Sequence, residues 1–106
     1  MKIKDLLENE PQRIGGFKKT VFKTKKQSSM TTDEGEVFFH QVVLKDETGE
    51  IIANVCLGNK RIPLQRNQEI HIVVCETKDT DDGRVLEVEE FVIASVTEPP
   101  PFFTRK

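Results

Sequence analysis

Residues 44–55, Leu44-Lys45-Asp46-Glu47-Thr48-Gly49-Glu50-Ile51-Ile52-Ala53-Asn54-Val55, decide the fold. Asp46 to Gly49 reads as a turn, with the glycine supplying the φ > 0 position. After it, Ile51, Ala53, Val55 and Leu57 fall on one face and Ile52, Asn54 and Cys56 on the other. Before it, Phe38, His40, Val42 and Leu44 share a face opposite Phe39, Gln41, Val43 and Lys45. A period of two on both sides of a short turn predicts strands over residues 37–45 and 50–57.

Upstream, residues 17–25 have strand composition, with Phe17 and Val21 on one face and Thr20, Phe22 and Thr24 on the other. Residues 26–36 (KQSSMTTDEGE) are polar and flexible in composition and read as an eleven-residue loop. Residues 3–8 read as a helical turn or extended lead-in, stopped by Pro11. Downstream, Pro63 sits in an irregular connection over residues 58–68, anchored by Ile62 and Leu64. A fourth strand is expected over 69–75, with Ile70, Ile72 and Val74 on one face. Residues 77–84 read as a charged hairpin tip built on a type I′ Asp82-Gly83 pair. A fifth strand follows over 85–96, with a bulge at Glu89-Glu90. Pro99-Pro100-Pro101 ends the fold.

Five short strands with almost no helix predict an all-β protein. In about 85 residues a closed barrel is favoured over a sandwich, because closure removes exposed edges. The expected division is a lead-in at 1–13, one barrel domain at 14–97 and a Pro-rich flexible tail at 98–106. At 106 residues the chain builds one modest core. No apolar run approaches the ~20 residues of a membrane span, and the first residues lack a signal peptide's apolar stretch. The expected location is the cytoplasm, or the nucleus in a eukaryote.

Cys56 and Cys75 stand apart without a CxxC pair, and His40 and His71 do not cluster with them. They read as free thiols on strands, since a zinc site needs about four ligands. The acidic run Asp79-Thr80-Asp81-Asp82-Gly83 lacks the spacing and closing Glu of a calcium loop. No metal and no cofactor is expected. No nucleophile–base constellation, P-loop or GxGxxG occurs, so an enzyme is not expected.

The strand–turn–strand of residues 44–55 resembles the core of OB-fold nucleic-acid-binding domains of the replication protein A type, and of the related anticodon-binding domains. Leu64 with Gln68-Glu69-Ile70-His71-Ile72 resembles that family's entry into its fourth strand. The resemblance spans residues 14–96 and implies a five-stranded OB-fold Greek-key barrel with little helix. The chain departs from the pattern in lacking Trp and Tyr, in having Cys56 and Leu57 where a late third-strand aromatic is common, and in placing Asn67 at a frequent glycine position.

The resemblance implies a ligand lying across the second and third strands, between the first and fourth strand-connecting loops. Single strands are held there by aromatics that stack and cations that follow phosphates. The expected outward residues are Phe22, Phe39, Gln41, Val43, Ile52 and Asn54, with Lys18, Lys23, Lys25, Lys26 and Lys45 around one end. Lys60, Arg61, Lys78 and Arg84 are expected to contribute from loops. Phe39 is the leading stacking residue, and Gln41 and Asn54 are candidates for base edges. The net charge is only −2, but residues 1–28 carry eight basic and three acidic residues while the remainder carries eight and fifteen. Such asymmetry focuses a local field.

The expected function is therefore binding of single-stranded nucleic acid, DNA ahead of RNA. The alternative is a protein-interaction module, using Phe39, Val43 and Ile52 as an apolar patch and Pro99–Phe103 as a docking tail.

Overall fold

The computed structural model describes residues 1–59 and 63–93. Its elements are α1 (Ile3–Glu8), β1 (Arg13–Ile14), β2 (Phe17–Thr32), β3 (Gly35–Asp46), β4 (Gly49–Gly58), β5 (Glu69–Thr80) and β6 (Gly83–Ile93). β2, β3 and β4 form an antiparallel meander. The chain then crosses over, and β5 pairs with the start of β2 while β6 pairs parallel to β4. The β5–β6 ladder closes the ring, and the two-residue β1 adds to β5. Among the described residues, five strands thus form a closed all-β sheet with one short helix.

The inward positions follow the alternation in the sequence. Val42 and Leu44 of β3, Ile51, Ala53 and Val55 of β4, Ile70 and Ile72 of β5, and Leu86 and Val88 of β6 are all buried. Gly15 lies between β1 and β2, close against the backbone of β5. A Cβ there would lie 1.8 Å from the Val73 carbonyl oxygen, so only glycine allows this approach. His40 points inward, where its Nδ1 accepts from the Leu64 N–H at 3.0 Å. Burial lowers its pKa, keeping the imidazole neutral and able to accept. Leu64 itself is buried and plugs that end of the barrel.

Residues 3–8 are helical and join the core through Ile3 and Leu6, one turn apart on one face. The helix has no side-chain cap of its own. Instead the β3–β4 turn caps it: Asp46 Oδ2 accepts from the Ile3 N–H at 2.9 Å, and Thr48 Oγ1 from the Lys4 N–H at 3.0 Å. Lys19, 9% exposed inside the barrel's edge, pairs with Asp46 at 3.2 Å and donates to the Met1 carbonyl at 2.6 Å. Burial alone would raise the Asp46 carboxyl. The Thr48 hydroxyl, the N–H groups of Ile3 and Thr48, and Lys19 outweigh that and hold it well below the usual carboxylate range.

Several expectations change. Residues 26–36 are not a loop. β2 runs to Thr32 and β3 begins at Gly35, leaving only Asp33 and Glu34 in the turn. The tip of the other hairpin is shorter than expected, with β5 reaching Thr80 and β6 starting at Gly83. Its turn is not type I′, which needs φ > 0 at both central residues. Gly83 has φ +110, while among the described residues Asn67 is the one non-glycine with positive φ. Lys78 and Arg84 consequently lie on strands rather than in a loop. The bulge near Glu89-Glu90 is present: Val74 faces Glu90 and Cys75 faces Val88. Asn67 adopts the left-handed backbone at φ 71. Lys60, Arg61, Ile62, residues 94–96 of the expected fifth strand and the Pro-rich tail lie outside the described residues.

Candidate nucleic-acid interface

The outer face of β3 and β4 is built in rows by their register. Phe39 lies beside Cys56, Gln41 beside Asn54, Val43 beside Ile52, and Lys45 beside Glu50. β6 extends two of these rows, setting Val85 beside Ile52 and Glu87 beside Asn54. The alternation placed all of these β3 and β4 residues on the outer side. Within the face their accessibility differs. Phe39, Gln41, Ile52 and Asn54 are half-buried and Lys45 is exposed, but Val43 is only 5% exposed and Val85 7%. The aliphatic row is therefore already largely covered, which shrinks the apolar patch expected from Phe39, Val43 and Ile52.

The central row is a directed hydrogen-bond ladder. Asn54 donates to Glu87, Nδ2 to Oε2 at 2.8 Å. Asn54 then offers Oδ1, which accepts from Gln41 Nε2 at 3.1 Å. Gln41 keeps its carbonyl oxygen as an acceptor at the far end of this relay. Glu87 was not singled out by sequence reasoning. Its position opposite Asn54 depends on the β4–β6 parallel register, which no local pattern specifies.

Phe22 reaches the same face through a backbone irregularity. The register between β2 and β3 shifts between Val21 and Lys23, so Phe22 is the extra residue of a bulge. The Lys45 ammonium lies 4.4 Å and the Lys23 ammonium 6.0 Å from its ring centroid. Both are cation–π distances. A second shift, between Thr24 and Gln27, takes up Lys25 and Lys26. These two, with Lys18 and Lys23, are exposed. The bulges thus gather an aromatic ring and a run of ammonium groups along one side of the face.

The opposite side is acidic and occupied. Arg84 does not stand free: its Nη1 donates to the carbonyls of Leu6 at 2.8 Å and Asn9 at 2.6 Å, and its Nε pairs with Asp79 at 2.6 Å. Arg13 pairs with Glu89 at 2.7 Å. Lys78 is exposed among Asp79, Asp81 and Asp82 on this hairpin. Beyond the Phe39–Cys56 row lies a groove of about 580 Å³, lined by Leu57, Pro63, Leu64, Phe91 and Ile93 among others. Cys75 is buried, and burial together with the Glu89 charge raises its thiol to about 11. It is a packed side chain rather than a thiolate ligand. Among the described residues no three His, Cys, Asp or Glu side chains gather as a metal site.

No protein-family model and no curated protein sequence matches the chain. Among solved structures, the second OB-fold domain of replication protein A from Methanococcus maripaludis superposes with a TM-score of 0.67, covering 93% of this chain and 98% of that chain. The chain has the OB fold. At 17% identity the likeness is one of architecture. In OB terms β2 to β6 are strands one to five. The face of β3 and β4 is the one flanked by the first and fourth connections, and here those connections are the β2–β3 and β5–β6 hairpins.

Proposed function

We propose that this OB-fold binds single-stranded nucleic acid across the outer face of β3 and β4, entering along the lysine-lined β2 side. The observation that carries the reading is the grouping of Phe22 beneath Lys45 and Lys23 on the face that also holds Phe39 and the Gln41–Asn54 ladder. A base stacked on Phe22 or Phe39 sets its phosphates beside these ammonium groups. Each stacked base is worth about 1–3 kcal/mol. The fixed carboxamides of Gln41 and Asn54 lie between the two aromatic ends, where base edges pass. DNA is put ahead of RNA because the structural neighbour is a domain of a replication protein.

The acidic β5–β6 side favours a different ligand, a basic protein segment, as the second reading. The two separate by ligand and by residue, because charge pairing with either ligand is screened by salt. Fluorescence anisotropy with labelled single-stranded DNA and RNA, at two salt concentrations, tests both. Binding of a phosphate backbone falls with a log–log salt slope of about −0.7 per contact. Phe39→Ala is expected to weaken it about tenfold or more. Absence of binding to either strand at low salt, or binding indifferent to salt and to Phe39, overturns the nucleic-acid reading.

A further inference from the structure

Sheet edges invite pairing unless they are short, charged, bulged or covered. In this barrel the inner part of the β2 edge is covered. Phe17 to Thr20 pair with β5, and Val21 exchanges hydrogen bonds with Asn67 and Gln68 at 2.7 and 2.8 Å. The next stretch carries Lys23, Lys25 and Lys26 and two register shifts, all of which discourage pairing. Beyond Lys26 the protection stops. Residues 27–32 (QSSMTT) form a regular strand with no charge, glycine or proline, paired on one side to β3 and on the other to nothing among the described residues. The other free edges differ. On β3 only Gly35 to Val37 extend past the β4 ladder, with Glu36 among them. The β5–β6 tip carries Lys78, Asp79 and Arg84.

The charges flanking this bare edge are arranged with polarity. Lys25-Lys26 precede it, and Asp33-Glu34 follow it. When two copies of such a strand lie antiparallel about a two-fold axis, the basic end of each meets the acidic end of the other. Centred on Ser29, the register sets Lys25 against Asp33. Centred on Met30, it sets Lys26 against Glu34. Both registers place opposite charges across the seam, and no like charges meet. Parallel stacking of the same strands would set lysine on lysine and acid on acid.

Apolar exposure supports the same partner. Met30 pairs with Val37 and lies two residues from Ser28, the partner of Phe39. Its side chain is therefore on the outer face of the sheet, and it is 53% exposed. A two-fold axis perpendicular to the sheet keeps outer face next to outer face. It brings the two Met30 side chains together at the seam.

We infer that the β2 edge at residues 27–32 is a self-association surface, occupied by the same edge of a second copy of this chain. The joined arms make one continuous sheet, with the β3–β4 faces of both copies on the same side. The interface is small, so association is expected at high protein concentration only.

Sedimentation equilibrium without nucleic acid tests this, over about 10 µM to 1 mM, where contacts of this size associate. A monomer–dimer equilibrium is expected. The double variants Lys25→Glu/Lys26→Glu and Asp33→Lys/Glu34→Lys each set like charges across the seam, and each is expected to weaken self-association about tenfold or more. Mixing the two variants is expected to restore a dimer containing one of each. Hydrogen exchange on the unaltered chain gives an independent readout: amides of residues 27–32 are expected to exchange more slowly as concentration rises. A chain that stays monomeric throughout overturns the inference, as does a dimer that survives both charge reversals. Failure of the mixture to form the mixed dimer, or protection that appears elsewhere than 27–32, overturns it too.

Discussion

The β2–β3 and β5–β6 hairpins end in the same way and are held in opposite ways. In one, Thr32 Oγ1 donates to the Gly35 carbonyl at 2.8 Å and accepts from the Glu34 N–H at 3.2 Å. In the other, Thr80 Oγ1 donates to the Gly83 carbonyl at 2.8 Å and accepts from the Asp82 N–H at 3.2 Å. The β5–β6 hairpin is then tied to the rest of the molecule. Thr77, buried, exchanges hydrogen bonds with the backbone of Gln12 at 2.8 and 2.9 Å, and Arg84 holds the end of α1. The outer β2–β3 hairpin has its own ladder and a Ser29–Glu36 contact at 3.0 Å, and residues 23–36 are exposed throughout. One arm is part of the scaffold. The other is exposed along its length, and it is the one with lysines at its base.

The two arms differ in role only if α1 and its clamps carry stability. Asp46 is the centre of that clamp, serving Ile3, Thr48 and the buried Lys19. Asp46→Ala leaves Lys19 buried without its carboxylate and is expected to cost about 3–5 kcal/mol in urea denaturation. The pH dependence has a definite sign. A carboxyl whose folded pKa lies below its unfolded value near 3.9 contributes stability that is full above about pH 4 and lost as pH falls below it. His40, also lowered on folding, adds a loss that begins as pH falls through about 6.5. Asp46→Asn is expected to flatten the acid limb below pH 4 and leave the His40 limb in place.

A smaller effect tests the anchored arm directly. Arg84 makes charged hydrogen bonds to two carbonyls at the end of α1. Arg84→Ala is expected to cost about 1.5–3 kcal/mol, since such bonds are the stronger kind. Lys23→Ala, an exposed change on the other hairpin, is expected to stay within about 0.5 kcal/mol. Equal losses from both would mean that the two arms are equally structural.

This asymmetry also explains what was legible in the sequence. Strand faces near the core were readable, because one side of β3 and β4 is buried and alternation records it: Val42, Leu44, Ile51, Ala53 and Val55 all fall inward. Residues 26–36 carry no such record. A two-stranded ribbon that leaves the barrel has no buried face, so apart from Met30 its composition is polar and resembles a loop. The signal that was present is the turn itself, since Thr32-Asp33-Glu34-Gly35 repeats the form of Thr80-Asp81-Asp82-Gly83. Lys19 and Arg84 were unreadable for another reason. Their partners lie 27 residues away at Asp46 and about 75–78 away at Asn9 and Leu6, and only the closed barrel brings them together. On the candidate face the outward placement of Phe39, Gln41 and Asn54 was readable from periodicity, whereas the placement of Phe22 beside Lys45 needed the bulge.

The arms should also differ in what they do to a ligand. Lys25→Ala/Lys26→Ala removes two exposed charges at the base of the free arm, and it is expected to flatten the log–log salt slope for single-stranded DNA by about 1.4. Lys78→Ala, beside the carboxylates of the anchored arm, is expected to leave the slope unchanged. A matching loss from Lys78 would mean that the strand runs along the acidic hairpin after all.

The smallest test uses the feature that the arms share. Thr32→Val and Thr80→Val remove the same pair of hydrogen bonds, each in an exposed turn, so each is expected to cost about 0.5–1 kcal/mol locally. The consequences should diverge. At Thr80 the opening meets the Asp79–Arg84 pair on the next rung and stops there. At Thr32 the next rungs are Thr31 with Glu36 and Met30 with Val37, and among the described residues no other strand pairs with them. Native-state hydrogen exchange, at a concentration low enough to keep chains apart, is the measurement that sees this, because local opening leaves the global transition where it was. Faster exchange reaching from Gly35 back to Phe39 in Thr32→Val, with no comparable spread past Arg84 in Thr80→Val, would fix the boundary between scaffold and free arm at the barrel rim. Equal spread in both would place the difference between the arms in their charge alone.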